Sequence, residues 1–210
     1  MRQQRNVANP AAELILASAS AGRAAVLQSA GLSFRKVPAP IDERAIEAEM
    51  MRERGDLDAG ELATALAVEK AAAVSRLHPQ AVVIGADQVM ECEGRLFQKP
   101  ADPAAARAQL HHLRGRTHSL NAGLAVAMNG EAVWRHLDRA WLTVRDFSDA
   151  FLEGYVTAEG EALLGCVGAY RIEGQGIQLF SRVAGDHFTI IGLPLLPLLG
   201  YLREIGWLQS

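Results

Sequence analysis

Apolar residues along the chain fall into two rhythms. Short runs rich in β-branched residues read as strands at 14–17 and 81–84, the second of them buried on both faces. Residues 34–38 read as another short strand. Elsewhere apolar residues recur three and four apart and predict helices: 24–30, with Val26, Leu27 and Ala30 on one face, then 44–54 and 61–77. Asp102-Pro103 starts a helix to Leu113, Ser148 caps another over 148–159, and a last amphipathic helix ends near Ile205. Asn129-Gly130 joins 117–128 and 132–144 into the clearest hairpin, and Glu93-Gly94 turns 89–93 back along 96–97. Further strands are expected at 177–183 and 188–191. Strands interleaved with helices predict one α/β domain over 13–210, behind a loose arm at 1–12.

Composition sharpens this only a little. Half of the 210 residues are apolar and 21% are charged, which is ordinary for a globular chain with a sizeable core. The net charge of −3 leaves no global positive field for a nucleic-acid polymer or an acidic membrane, so an anionic ligand must be held by a local cluster. Cys92 and Cys166 lie far apart, without a Cys-x-x-Cys or ligand-spaced histidines, and suit reduced thiols in the cytoplasm. Residues 1–12 carry Arg2 and Arg5 but no apolar core of a secretion signal. The apolar stretch 190–201 contains two prolines and is too short to span a bilayer.

Candidate chemistry gathers in two places. A strand leads into Ser18-Ala19-Ser20-Ala21-Gly22-Arg23 and then a helix, an arrangement that points backbone N–H groups and a positive helix end at phosphate. Ser18 and Ser20 can cap that helix or touch the anion, and Arg23 falls in its first turn. The chain has neither a Walker A motif nor a strand-linked Gly-x-Gly-x-x-Gly. Asp87 follows the buried run 81–84, where open α/β sheets place ligands, and the next hairpin returns Lys99 towards it. Asp42-Glu43 is a helix start, a metal ligand, or both, and Lys70 is either a surface charge or a phosphate contact. Gly165 to Gly176 is glycine-rich, as tight turns or close backbone approach require.

Taken in order, these motifs resemble the Maf family of nucleoside triphosphate pyrophosphatases. The resemblance rests on Leu-Ala-Ser-Ala-Ser with Arg23, Ile41-Asp42-Glu43, Leu66-Ala67 through Lys70-Ala71, Val83 to Asp87, and Lys99-Pro100. Gly115-Arg116-Thr117-His118, Gly168-Ala169-Tyr170, Gly174-Gln175-Gly176 and Gly192-Leu193-Pro194 continue it. It implies an elongated α/β fold, a central mixed sheet flanked by helices with a cleft between two lobes, in a homodimer. It also implies hydrolysis of a nucleoside triphosphate to the monophosphate and pyrophosphate with a divalent cation, Mg or Mn. By position Asp87 is similar to the family's catalytic acid and Glu43 to its partner in handling metal and water. Ser18, Ser20, Arg23, Lys70 and Lys99 match the phosphate-binding groups.

The chain also departs from the pattern. Gly22 stands where the family commonly has arginine, a position tied to substrate choice. Gln88 replaces the threonine, and Glu173 the glutamine, of the dTTP/UTP-hydrolysing branch. Gln88 with Glu173 resembles the 7-methyl-GTP branch, and a carboxylate suits a guanine's N1–H and amino group or a methylated, positively charged ring. Rival readings are a dTTP/UTP pyrophosphatase and a non-catalytic nucleotide-binding regulator of septum formation.

Overall fold

The computed structural model describes residues 12–54 and 57–209, so nearly all of the expected arm at 1–12 lies outside the described residues. Three parallel strands open the sheet: β1 (Leu14–Leu16), flanked by β2 (Arg35–Lys36) and by β3 (Val82–Cys92). Between them come α1 (Ala21–Ser29), α2 (Glu43–Arg54) and α3 (Ala59–Leu77). The hairpin strand β4 (Arg95–Phe97) pairs with the end of β3 and leads to α4 (Pro103–Leu113), which Asp102 caps as its Asp-Pro start requires. The long hairpin β5 (Thr117–Met128) and β6 (Glu131–Val144) turns at Asn129 and Gly130, both at positive φ. After α5 (Asp149–Glu159) and two short 3₁₀ turns come β7 (Phe180–Ala184), α6 (His187–Ile191) and α7 (Leu195–Glu204). The result is a 7-stranded mixed sheet in the order β2-β1-β3-β5-β6-β7, with β4 on the flank of β3. No helix among the described residues is long and apolar enough to cross a membrane.

Three expectations need correction. The run at 81–84 does not stop before Asp87: one strand continues through it to Cys92, because β5 pairs with β3 from Val83 to Glu91. Asp87 is therefore central in its strand. Residues 188–191 form a helix rather than a strand, since Asp186 accepts from the N–H groups of Phe188 and Thr189 and Gly192 closes the turn at φ +92°. The strand expected at 177–183 begins only at Phe180, after a 3₁₀ turn over Gln175–Leu179.

Side-chain alternation along β3 separates the two faces. Val83, Gly85, Asp87 and Val89 face α3. Gly85 and Gly123 let that helix close in, for a Cβ at Gly85 would stand 2.1 Å from the Ala67 carbonyl oxygen, and one at Gly123 2.3 Å from the Ala63 backbone. On the opposite face, Ile84 and Ala86 join the core of α1 and α7, with Leu27, Leu193 and Leu198. Met90 and Cys92 join a second core, with Leu110, Leu142 and Leu152. Gln88 stands on β3 between these two cores.

Candidate active site

Lys70 projects from the sheet-facing side of α3, three residues after Ala67. Its ammonium Nζ lies 2.5 Å from Asp87 Oδ1 and 2.8 Å from Glu43 Oε1. Lys70 is only 8% exposed and Asp87 7%. The Glu43 side chain is 53% exposed, so the cluster opens to solvent on that side. Asp42 and Glu43 divide the work that the sequence left undecided. Asp42 accepts from the Ala45 N–H and starts α2, which frees Glu43 in the first turn to face Lys70. Burying an ammonium is tolerable here because two carboxylates satisfy it.

The serine turn is built as expected, with one reassignment. Ser20 caps α1 by accepting from the Arg23 N–H, and Ser18 Oγ accepts from the Ser20 N–H. Arg23 folds inward: Nη1 donates to the Ala86 carbonyl at 2.7 Å and to Ser18 Oγ, and Nε donates to the Gly192 carbonyl at 2.9 Å. Burial lowers its pKa, and the charges of Asp87 and Glu43 act against that. Arg23 is thus a brace joining α1, β3 and the turn after α6, while its charge stays within the field of both carboxylates.

Gln88 and Gly22 also meet that turn. The Gln88 amide donates to the carbonyls of Thr189 (2.9 Å) and Ile190 (3.0 Å), and none of these bonds uses Oε1. A Cβ on Gly22 would press on Ile191 at 3.3 Å, and one on Gly192 would meet the Arg23 guanidinium at 3.3 Å. Thr189, fully buried, donates from Oγ1 to Asp138 Oδ2 at 2.8 Å. Sequence reasoning missed Thr189, Asp138 and Gly192 as supports of the site. The Asp186 cap and Gly192 were the available signal, masked by the β-branched run between them.

Lys99 and Glu173 form no ion pair with the Lys70 cluster. The hairpin does return the chain, pairing Phe97 with Met90, but the strand ends there, two residues before Lys99. Lys99 is exposed, and none of the ion pairs among the described residues involves it. It is not paired with Asp87. Glu173 is exposed as well. Both charges act on the Cys166 thiol, whose pKa is raised by burial and by Glu173 and lowered by Arg171 and Lys99.

The Asp87 and Glu43 carboxylates suit a divalent cation. Lys70 holds one oxygen of each, and there is no cluster of three or more His, Cys, Asp or Glu ligands among the described residues. Two hard oxygen donors without a closed cage fit a cation such as Mg, which keeps several waters and takes other ligands from substrate phosphates.

Comparison with known proteins agrees with these motifs. The family described as Maf-like protein matches residues 13–205. A nucleoside triphosphate pyrophosphatase of Nitrobacter winogradskyi is 52% identical, over 94% of this chain and 95% of its own. One from Granulibacter bethesdensis is 49% identical, over 91% and 96%. A 7-methyl-GTP pyrophosphatase of Rhizobium meliloti is also 49% identical, over 94% and 98%. The chain belongs to the Maf-like protein family.

Proposed function

We propose that this chain hydrolyses a nucleoside triphosphate to the monophosphate and pyrophosphate, by attack of water on the α-phosphorus. The observation that carries the reading is the Asp87–Lys70–Glu43 cluster, set beside a serine-capped helix start in a Maf-family chain. Asp87 orients the attacking water or takes its proton. Lys70, Lys99 and the Ser18–Ser20 turn hold phosphate oxygens, and Arg23 adds positive charge from within the fold. Asp87 and Glu43 would hold Mg or Mn, which when bound offsets charge on the phosphates. The relatives named above are named for this hydrolysis, which does not favour a purely regulatory role. A homodimer acting in the cytoplasm completes the reading, on the family resemblance and the two free cysteines.

For the base, we favour 7-methyl-GTP over dTTP and UTP. With its amide nitrogen turned to two carbonyls, Gln88 presents a ligand with its Oε1 acceptor, and Glu173 is an acceptor too. Two acceptors suit the donor-rich edge of a guanine better than a uracil or thymine edge.

The test is pyrophosphate release with Mg or Mn across 7-methyl-GTP, GTP, dTTP and UTP, with Asp87→Asn alongside. Expected is selective release from 7-methyl-GTP, falling about a thousandfold or more in the variant. Release from dTTP and UTP instead would keep the reaction and overturn the base. A variant as fast as the wild type, or no release from any nucleotide, would overturn the reaction.

A further inference from the structure

The Lys70 ammonium does more than wait for phosphate. It sits between Asp87 Oδ1 and Glu43 Oε1, bridging the two carboxylates at 2.5 and 2.8 Å. A divalent cation shared by those carboxylates would need the same place. Resting on the functional reading above, we infer that Lys70 is a built-in stand-in for the metal, which keeps a free divalent cation out until a triphosphate draws the ammonium away.

Charge supports this. Asp87 and Glu43 bring two negative charges, and Lys70 and Arg23 bring two positive ones. Arg23 is held in place by Ala86, Gly192 and Ser18, so it cannot be the group that leaves. The cluster is formally neutral and offers a lone divalent cation no net attraction. An ammonium already between the two carboxylates adds direct repulsion. A nucleoside triphosphate changes both conditions. Its oxygens give Lys70 a new partner on the open Glu43 side, and they bring negative charge for the cation to share. Lys70 is suited to this exchange, being a point charge on a flexible stem whose three donors can be re-aimed. Metal and nucleotide are then coupled: each binds better in the presence of the other, by the same factor. Lys70 also spares the empty enzyme two facing carboxylates with nothing between them.

The measurement is Mn²⁺ binding by electron paramagnetic resonance of the free ion, without nucleotide, on wild type, Lys70→Met and Lys70→Arg. Far-ultraviolet circular dichroism checks that each variant folds. Lys70→Met should bind Mn²⁺ more tightly than the wild type, by on the order of tenfold or more, and Lys70→Arg should stay as weak as the wild type. Water-proton relaxation on the wild type needs no variant. Protein alone should give little enhancement with Mn²⁺, and protein with the α,β-methylene analogue of GTP or of dTTP should give a strong one. Wild type that takes up Mn²⁺ equally tightly with and without the analogues would overturn the inference. So would a folded Lys70→Met no tighter than the wild type, and pyrophosphate release that still needs metal would then leave the functional reading standing. No Mn²⁺ uptake under any condition, with no pyrophosphate release, would remove both.

Discussion

Lys70–Asp87 on the α3 face of the sheet and His118–Tyr170 on the opposite face are both polar pairs enclosed by apolar neighbours. They are closed off differently. His118 is 1% exposed, with Nε2 2.7 Å from the Tyr170 hydroxyl and Phe180 against both rings. Its Nδ1 has no partner, and burial pushes its pKa down to about 4. The same burial pushes the Tyr170 phenol up. Both members therefore rest neutral, pinning the 166–174 loop to β5. Lys70–Asp87 is an ion pair instead, and its third member, Glu43, reaches solvent. What separates the proposed catalytic cluster from the structural pair is not burial but charge and an open side.

The comparison breaks most severely at Gly85. In Gly85→Ala the new Cβ cannot coexist with the Ala67 carbonyl at 2.1 Å, so α3 must lift off β3 and take Lys70 with it. The expected cost is more than about 3 kcal/mol in urea unfolding, with loss of turnover in whatever folds. An unchanged midpoint would show that the α3 contact does not set the Lys70–Asp87 distance.

A smaller effect sharpens the other side. His118 has a folded pKa of about 4, below its ordinary 6.5, so between those values the unfolded chain binds a proton that the folded one does not. Stability is then full above about pH 6.5 and is lost progressively as the pH falls towards 4, by about 3 kcal/mol in total. His118→Gln should flatten this slope when urea midpoints are compared at pH 7 and pH 4.5. A slope identical to the wild type would place the acid sensitivity elsewhere.

The smallest effect is a control on charge itself. Arg107 and Glu153 form a two-pronged ion pair, 2.6 and 2.8 Å, on exposed surfaces of α4 and α5. Arg107→Ala should leave the thermal midpoint without measurable change, since exposed pairs contribute little. A clear drop would mean that ion pairs matter in this chain regardless of enclosure.

Much of this was legible in the sequence. The Asp102-Pro103 start, the Asn129-Gly130 turn and the caps at Ser20 and Ser148 act locally, and each forms as read. Asp87, Glu43 and Lys70 were singled out as candidates, and the fold brings them together. Their mutual contact was not readable, because it depends on how closely α3 packs on β3. Arg23 looked like a free phosphate ligand, since nothing nearby in sequence announces Gly192, 169 residues away, as its acceptor. Residues 188–191 carry strand-favouring Phe, Thr and Ile, yet the cap at Asp186 outweighs that preference and they form a helix.

The stripe of Ala63, Ala67 and Ala71 against Gly85 and Gly123 also bears on how the protein can change over time. Most core positions can trade volume with a neighbour, one residue growing as another shrinks. Here backbone rests against backbone, so no partner is left to shrink. At Gly85 and Gly123 drift has no side-chain alternative to sample, and at the facing alanines it can only run towards still smaller residues. The spacing between α3 and the sheet, and with it the distance from Lys70 to Asp87, is thus held by positions that have almost no freedom to change.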